Sequence, residues 1–349
     1  MFDKKRLLEQ IGGNNALIIS PSNTYYVSGY EATFAYILIT EHENYYITDS
    51  RYTLEATKCT RDMKVLEGSP RTVYDMILDL VDAGKSLYVD EDITYHEYKN
   101  IKEHLSSLTL MPLGTIIHEM RAVKSSDEIA NIVKAESIGE RALSKTLGEI
   151  KEGMTELEVT ALLEYHMKSY GGDRLSFETI VAFGENTASP HAHPGNRALK
   201  VGDFITIDYG TTVNGYHGDS TRTMSFGKPT REMRKVYDIV NTAGQMAIES
   251  ICSGKNCKDI DAIARDYISG KGYGDAFGHG LGHSVGIDIH EDPRFAPGFD
   301  YVLRENNVIT VEPGIYLAEK FGIRIEDVII VKDNGQIDIN NLTRELIIL

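Results

Sequence analysis

Two stretches of the chain repeat each other: Phe204-Ile-Thr-Ile-Asp208-Tyr-Gly210 and Val308-Ile-Thr-Val-Glu312-Pro-Gly314, 104 residues apart. Each is a β-branched run that ends in a carboxylate, one further residue and a glycine. The repeat extends outward. Gly153 with Glu158-Val159 recurs as Gly254 with Asp259-Ile260, and each is followed by an amphipathic stretch ending at a glycine, Gly171 or Gly272. A second acid follows each strand, Asp219 in the first copy and Glu326 in the second. A fold with two related halves brings these four carboxylates together at its centre. Four bare anions cannot share one small volume, because repulsion forces protons onto some of them. Divalent cations keep them ionised, so the pattern reads as a dinuclear metallohydrolase.

At 349 residues the chain is long for one core. It is expected to form two domains, residues 1–120 and 121–349. The first alternates strand signals (16–20, 34–40, 45–48, 86–90) with helix signals (51–58, 72–81, 95–105), which reads as a compact α/β domain. It holds no clustered catalytic residue types, and its Tyr25-Tyr26-Val-Ser-Gly29-Tyr30 segment reads as core packing. The opening MFDKKRLLEQIGG reads as a short amphipathic helix, with charges where a signal peptide would be apolar. The second domain begins at a capping box, Ser125-Ser126-Asp127-Glu128, whose side chains satisfy free amides at a helix start. Thr155-Glu-Leu-Glu158 is another, opening a helix that stops near Gly171-Gly172. Strands then dominate 176–226, a helix pair follows at 231–253 and 258–271, and a second strand-rich block runs from 277. The order is helix, helix, strands, repeated once.

A net charge of −16 excludes a basic stripe for nucleic acid. No apolar run approaches the roughly 18 residues of a membrane span. The three cysteines, Cys59, Cys252 and Cys257, lack CxxC spacing and fit free thiols in a reducing cytoplasm. A cytoplasmic protein that binds neither nucleic acid nor membrane is expected.

Asp208 and Asp219 lie on strand-like runs joined by Asn214-Gly215, a strong hairpin signal, and are expected to stand roughly opposite each other. Glu312 and Glu326 are expected to repeat the arrangement with a longer connection. Phe277-Gly-His279-Gly-Leu-Gly-His283-Ser-Val-Gly286, followed by His290-Glu291, adds three histidines whose neighbouring glycines let the backbone approach a site closely. One of the three is expected to ligate metal, and His191 is a weaker candidate. Imidazole and carboxylates suit Mn, Fe, Co or Zn, and a carboxylate-dominated set leans toward Mn2+ or Co2+.

The ordered motifs DYG…DSTRT…GHGLGHxVG…HE…VEPGIY…GIRIED resemble the pita-bread metallopeptidases, specifically the proline-specific branch of prolidase and aminopeptidase P. The resemblance spans essentially the whole chain. It implies an α+β protein: a C-terminal pita-bread (creatinase/aminopeptidase) fold with a pseudo-twofold repeat, behind an N-terminal α/β domain of creatinase/prolidase type. It implies that Asp219, His283, Glu312 and Glu326 hold one metal and that Asp208, Asp219 and Glu326 hold the second. It places His191, His279 and His290 against the substrate and the tetrahedral intermediate, and gives Tyr316 a substrate-binding place. Arg324, two residues before Glu326 on the same strand face, is expected to orient that carboxylate. A homodimer is also implied.

Two such metals can share a water, lower its pKa and poise it to attack a peptide carbonyl. Glu312 is the candidate to carry the water proton to the leaving nitrogen, with His290 or His279 stabilising the oxyanion. An Xaa-Pro bond offers no N–H, so peptides with proline in second position need a site shaped for the pyrrolidine ring. Arg294 resembles the arginine with which prolidases bind a free carboxylate beside that proline. The reading leans toward Xaa-Pro dipeptidase, with Xaa-Pro aminopeptidase as the alternative. A metal-free creatinase-like hydrolase and a non-catalytic pita-bread binding module are the remaining readings.

Overall fold

The structure, a computed structural model, describes residues 2–349. It divides into two compact units, Met1–Arg121 and Ala122–Leu349. Among the described residues no helix is long and apolar enough to cross a membrane.

The first unit runs α1 (Lys4–Gln10), β1 (Asn15–Ile18), α2 (Pro21–Ser28), β2 (Ala35–Ile39), β3 (Asn44–Thr48), α3 (Thr53–Cys59), β4 (Lys64–Glu67), α4 (Val73–Leu80), β5 (Leu87–Val89), α5 (Tyr95–His104), β6 (Leu110–Pro112) and α6 (Ile116–Ala122). Its six strands form one mixed sheet in the order β4-β3-β2-β1-β5-β6. Leu17, Leu38, Ile47, Ile77, Leu87 and Ile101 are buried in its core. The opening amphipathic helix forms as α1, capped by Asp3, while Met1 lies outside the described residues. The Tyr25–Tyr30 segment, expected only as core packing, supplies the second half of α2, and Tyr26 and Val27 are indeed buried. Pro21 at the first helical position and left-handed Gly29 at the end frame that helix, a start-and-stop signal that its aromatic content obscured.

The second unit builds the repeat. Its first half holds α7 (Ser126–Leu147), α8 (Glu156–Ser169), β7 (Ile180–Phe183), β8 (Phe204–Tyr209), the short pair β9 (Thr212–Val213) and β10 (Tyr216–His217), and β11 (Ser220–Ser225). Its second half holds α9 (Arg231–Glu249), α10 (Cys257–Gly270), β12 (Gly282–Ser284), β13 (Glu291–Phe295), β14 (Val308–Val311), β15 (Gly314–Leu317), β16 (Phe321–Arg324), β17 (Asp327–Lys332) and β18 (Gly335–Asp338). Both expected capping boxes form, at Ser125 with Glu128 and at Thr155 with Glu158. Sheets β11-β8-β7 and β13-β12-β14-β17-β18 carry the two halves. Each half has its own core: Leu143, Leu163, Phe183 and Ile207 in one, and Val240, Ile260, Ile309 and Ile329 in the other.

Matched backbone details make the halves equivalent. Gly153 and Gly254 both adopt φ +86°. Gly153 N–H donates to the Leu199 carbonyl at 2.9 Å, and Gly254 N–H to that of Leu303 at 2.8 Å. Just beyond, Thr155 bridges Ala198 and Asn256 bridges Val302, each antiparallel. A left-handed φ explains the glycine at both places, since a side chain there strains the backbone.

That explanation is testable. An added Cβ at Gly153 or Gly254 meets nothing within 4 Å, so the cost of alanine is conformational alone. Gly153→Ala and Gly254→Ala are each expected to lower unfolding free energy by about 1–2 kcal/mol, read as a shift in urea midpoint at unchanged slope. An unchanged midpoint would show that the left-handed turns are not what the glycines serve.

Candidate active site

The turn Asn214-Gly215 joins β9 to β10 with both residues at positive φ, 47° and 74°, as a two-residue hairpin turn requires. It pairs Val213 with Tyr216, and the same register persists down the hairpin, where Thr221 faces Asp208 and Ser220 faces Tyr209. Asp219 is therefore not opposite Asp208, as expected from the sequence. It lies two residues before Asp208's partner, a diagonal neighbour on the same face, within reach of shared ions. The second half differs. Gly314 pairs with Arg324 and Val311 with Asp327, so the continuous register sets Glu312 directly against Glu326. The two pairs are alike in position but not in register: Asp219 stands three residues past Tyr216, where its return strand begins to pair, whereas Glu326 stands five past Phe321.

All four acids line one pocket of about 550 Å3, together with His191, His279, His283, His290, Arg294, Tyr316 and Arg324. Every site residue named from the sequence thus reaches the same cavity. Asp219 and Glu326 are the deepest, with side chains 6% and buried to about 2% exposed. His283 Nε2 stands 3.5 Å from Asp219 Oδ2 and 3.4 Å from Glu312 Oε1. The His283 Nδ1 group reaches the Ser284 carbonyl at 3.2 Å, which makes Nδ1 the protonated nitrogen and leaves the Nε2 lone pair facing the acids. Close packing puts His283 there. An added Cβ on Gly282 would lie 1.9 Å from the Thr310 carbonyl oxygen, so β12 can approach β14 this closely only through glycine.

A lone pair aimed at carboxylate oxygens is repulsive unless a cation lies between them. Asp208 Oδ1 is likewise buried with no hydrogen-bond partner. Ligand atoms of Asp219, His283 and Glu326 lie within 4.8 Å of one another. Without a cation the site is strained electrostatically. Burial, then Glu326 and Asp208, pushes Asp219 well above the carboxylate range. Burial, then Glu312 and Asp208, does the same to Glu326. Burial raises Glu312 to about 8 despite the opposing pull of Arg324. Burial, with His290 adding to it, holds His283 down to about 4, so it is a neutral donor. Oxygen-rich donors with one neutral imidazole fit divalent cations of the Mn, Co, Fe or Zn type.

The supporting bonds correct one expectation. Arg324 donates no hydrogen bond to Glu326. Its Nη2 holds Asp208 Oδ2 at 2.6 Å, its Nε reaches Thr221 Oγ1 at 3.1 Å, and its Nη1 reaches Tyr316 Oη at 3.0 Å. Glu326 is held instead by Thr221 Oγ1, at 2.7 Å. The reason is topological. Glu326 N–H donates to the Thr221 carbonyl, so the two halves meet here, and Arg324 reaches across the seam into the first half. His279 also sits differently from a free substrate contact. Its Nδ1 lies 2.7 Å from the Gly280 carbonyl and its Nε2 3.0 Å from Tyr316 Oη, so both nitrogens are engaged and burial holds the ring neutral, down to about 4. His191 and His290 are exposed to the pocket, and the His290 ring packs edge-on against His283 at 4.4 Å. Arg294, 56% exposed, is tied to Asp292 by its Nε at 3.1 Å.

Three contributors were not named from the sequence. Thr221 was readable: it follows Asp219 by two residues and so shares its face. Thr310 Oγ1 receives the His283 backbone N–H at 3.0 Å, and only the pairing of β12 with β14 discloses it. Glu136 of α7 lies behind Asp219, accepting its backbone N–H at 2.5 Å and the Ser220 hydroxyl at 2.7 Å. Only tertiary packing brings that helix there.

Comparison with known proteins agrees with this geometry. Residues 130–333 match the model of metallopeptidase family M24, and residues 5–123 match the creatinase/prolidase N-terminal domain. The Xaa-Pro dipeptidase of Pyrococcus furiosus is 34% identical over 344 residues, 98% of this chain and 97% of that one. The structure of an Xaa-Pro dipeptidase from Bacillus anthracis superposes with a TM-score of 0.95 at 33% identity, covering 99% of both chains. That of an X-Pro aminopeptidase from Thermotoga maritima gives 0.91 at 36% identity, covering 99% of this chain and 100% of that one.

Adding Mn2+ to metal-free protein is expected to stabilise it by about 2.7 kcal/mol at a hundredfold excess over Kd, seen as a rise in thermal midpoint. Asp219→Asn removes a charged donor from the shared centre and is expected to abolish most of that rise. Equal rises in both proteins would place the cation elsewhere.

Proposed function

The chain belongs to metallopeptidase family M24, and on that premise we propose that it hydrolyses Xaa-Pro dipeptides. The observation that carries the reading is the one pocket in which four carboxylates, two of them buried and two half-buried, converge with His283, with Arg294 also lining it. As a member of its family the chain is a divalent-metal-dependent peptidase. We take Asp219, His283, Glu312 and Glu326 as the ligands of one cation and Asp208, Asp219 and Glu326 as those of the other. Mn2+ or Co2+ suits this oxygen-dominated set best. When bound, the cations supply Lewis acidity and make water acidic at neutral pH.

The protein's own groups do the rest. Glu312 takes the proton of the attacking water and delivers it to the leaving proline nitrogen. It lies 3.4 Å from Thr310 Oγ1 and 3.4 Å from His283 Nε2, beside the imidazole that would share the cation with it. His290 and His191 face the open pocket and donate to the developing oxyanion. His279 acts through Tyr316: Arg324 donates to the phenol oxygen, whose proton goes to His279 Nε2, so the three fix one another's orientation. Phe177, Ile180, Ile289 and Phe295 give the pocket an apolar wall suited to a pyrrolidine ring. Arg294 binds the free carboxylate of a dipeptide, since its Nη donors make no hydrogen bond to protein among the described residues.

The similarity to an X-Pro aminopeptidase at 36% identity favours a second reading, release of the first residue from longer peptides. The two differ in whether a carboxylate must follow proline. A homodimer in a reducing cytoplasm completes the proposal; the three free cysteines fit such a compartment.

Hydrolysis of Ala-Pro against Ala-Pro-Ala, with Mn2+ or Co2+ present, separates the readings. Ala-Pro is expected to be the better substrate. Arg294→Ala is expected to raise KM for Ala-Pro by about tenfold, the loss of one charge-assisted hydrogen bond, with kcat little changed. Efficient tripeptide cleavage that is indifferent to Arg294→Ala would establish the aminopeptidase.

A further inference from the structure

Against β12 and β13 lies a buried charged group outside the pocket. Lys124 is 2% exposed, and its Nζ lies 2.8 Å from Ser284 Oγ and 3.1 Å from Glu291 Oε2. The Glu291 side chain is itself 6% exposed. Each of these two partners is the sequence neighbour of a histidine of the site: Ser284 follows His283, and Glu291 follows His290. The Lys124 ammonium is therefore the common tie between the strand that carries the ligand imidazole and the strand that begins beside the oxyanion imidazole.

Further bonds make the tie rigid. Ser284 Oγ donates onward to the Val308 carbonyl at 2.7 Å, and the Ser284 carbonyl is the group that receives His283 Nδ1. Glu291 Oε1 accepts the Asp288 backbone N–H at 3.1 Å, closing the loop that leads to His290. Gly286 leaves room for this carboxylate, since a Cβ there would stand 2.6 Å from both its oxygens. Lys124 is anchored in turn: its own N–H donates to the Asn306 carbonyl at 3.0 Å, and Asn307 Nδ2 donates to the Ala122 carbonyl at 2.7 Å. The tie matters because β12 and β13 are out of simple register here, with a shift between His283 and Ser284. The sheet ladder alone does not fix the distance between the two imidazoles.

We propose that Lys124 is a positioning residue for the reaction, holding His283 and His290 in their mutual geometry through Ser284 and Glu291. A buried lysine paired in this way does nothing for solubility, and two well-packed apolar side chains would serve stability as well. What an ion pair adds is direction, because its hydrogen bonds fix where each strand lies. The inference rests on the peptidase reading for His290, but for His283 only on metal binding.

The test uses two substitutions with separate readouts. Ser284→Ala keeps the Lys124–Glu291 pair and the backbone carbonyl that receives His283 Nδ1, and removes the hydroxyl through which Lys124 and the Val308 carbonyl hold that residue. Lys124→Met combined with Glu291→Gln removes the pair without leaving a buried charge alone. Calorimetric titration of Mn2+ into metal-free protein reports on His283, and kcat and KM for Ala-Pro report on His290. Ser284→Ala is expected to raise the Mn2+ Kd by about tenfold, the lower end of the effect of disturbing the support of a metal-binding imidazole. The double variant is expected to do the same and also to lower kcat by about 10- to 100-fold with KM within threefold. Thermal midpoints of the metal-free proteins separate these effects from lost stability, which would move the midpoint and leave Kd and the kcat-to-KM split unchanged. Parental Mn2+ affinity in Ser284→Ala, or parental kcat in the double variant, would overturn the proposal. If the parent fails to cleave Ala-Pro, the peptidase reading falls, while the Mn2+ titration still decides for Lys124 and His283.

Discussion

Everything about the site follows from the crowding of Asp208, Asp219, Glu312 and Glu326 into one buried volume. Among the described residues only one cationic side chain, Arg324, directly bonds any of the four, and it bonds Asp208. The remaining negative charge has no protein partner of opposite sign, which is why burial and mutual repulsion drive Asp219 and Glu326 so far from their ordinary behaviour. Such an arrangement is expensive to keep and persists in a fold only where something compensates it. Divalent cations held there would compensate it and at the same time supply the chemistry.

The scaffold delivers those acids by duplicating one hairpin device and then offsetting it. In the first half a two-residue turn sets Thr221 against Asp208. In the second, a longer connection sets Glu326 against Glu312. The offset breaks the equivalence where chemistry needs it broken. Thr221, the residue opposite one acid, becomes the hydrogen-bond support of another across the seam. The imidazole that stands against these acids, His283, comes from the second half alone.

Much of this was legible in the sequence because local chemistry agrees with the fold. Ser125 and Thr155 announced helix starts through capping boxes, which act within four residues. The left-handed glycines at 153 and 254 marked matched turns. The Asn214-Gly215 turn revealed the first hairpin, and counting outward from its centre gives the true partner of Asp208; the approximate pairing with Asp219 missed by two residues. What stayed hidden depends on contacts between distant segments. Nothing near Arg324 in the chain says that its guanidinium crosses to Asp208 rather than holding Glu326. Glu136 reads as one more acid on an amphipathic helix until α7 packs behind Asp219. In the first unit the tyrosines of α2 masked a plain proline-to-glycine helix frame.

Arg222, beside Thr221 on β11, is 1% exposed and shows how completely the halves depend on each other. Apart from the neighbouring Thr221 carbonyl, its guanidinium is satisfied by the carbonyls of Glu326, Leu342 and Thr343 and by the Asp327 carboxylate, all more than 100 residues downstream. A growing polypeptide that has emerged from the ribosome only as far as α10 offers this arginine none of those downstream partners. Its first hairpin presents two acids to water, with no ligand histidine beyond them. Synthesis therefore leaves the pocket of acids unassembled until the later strands arrive.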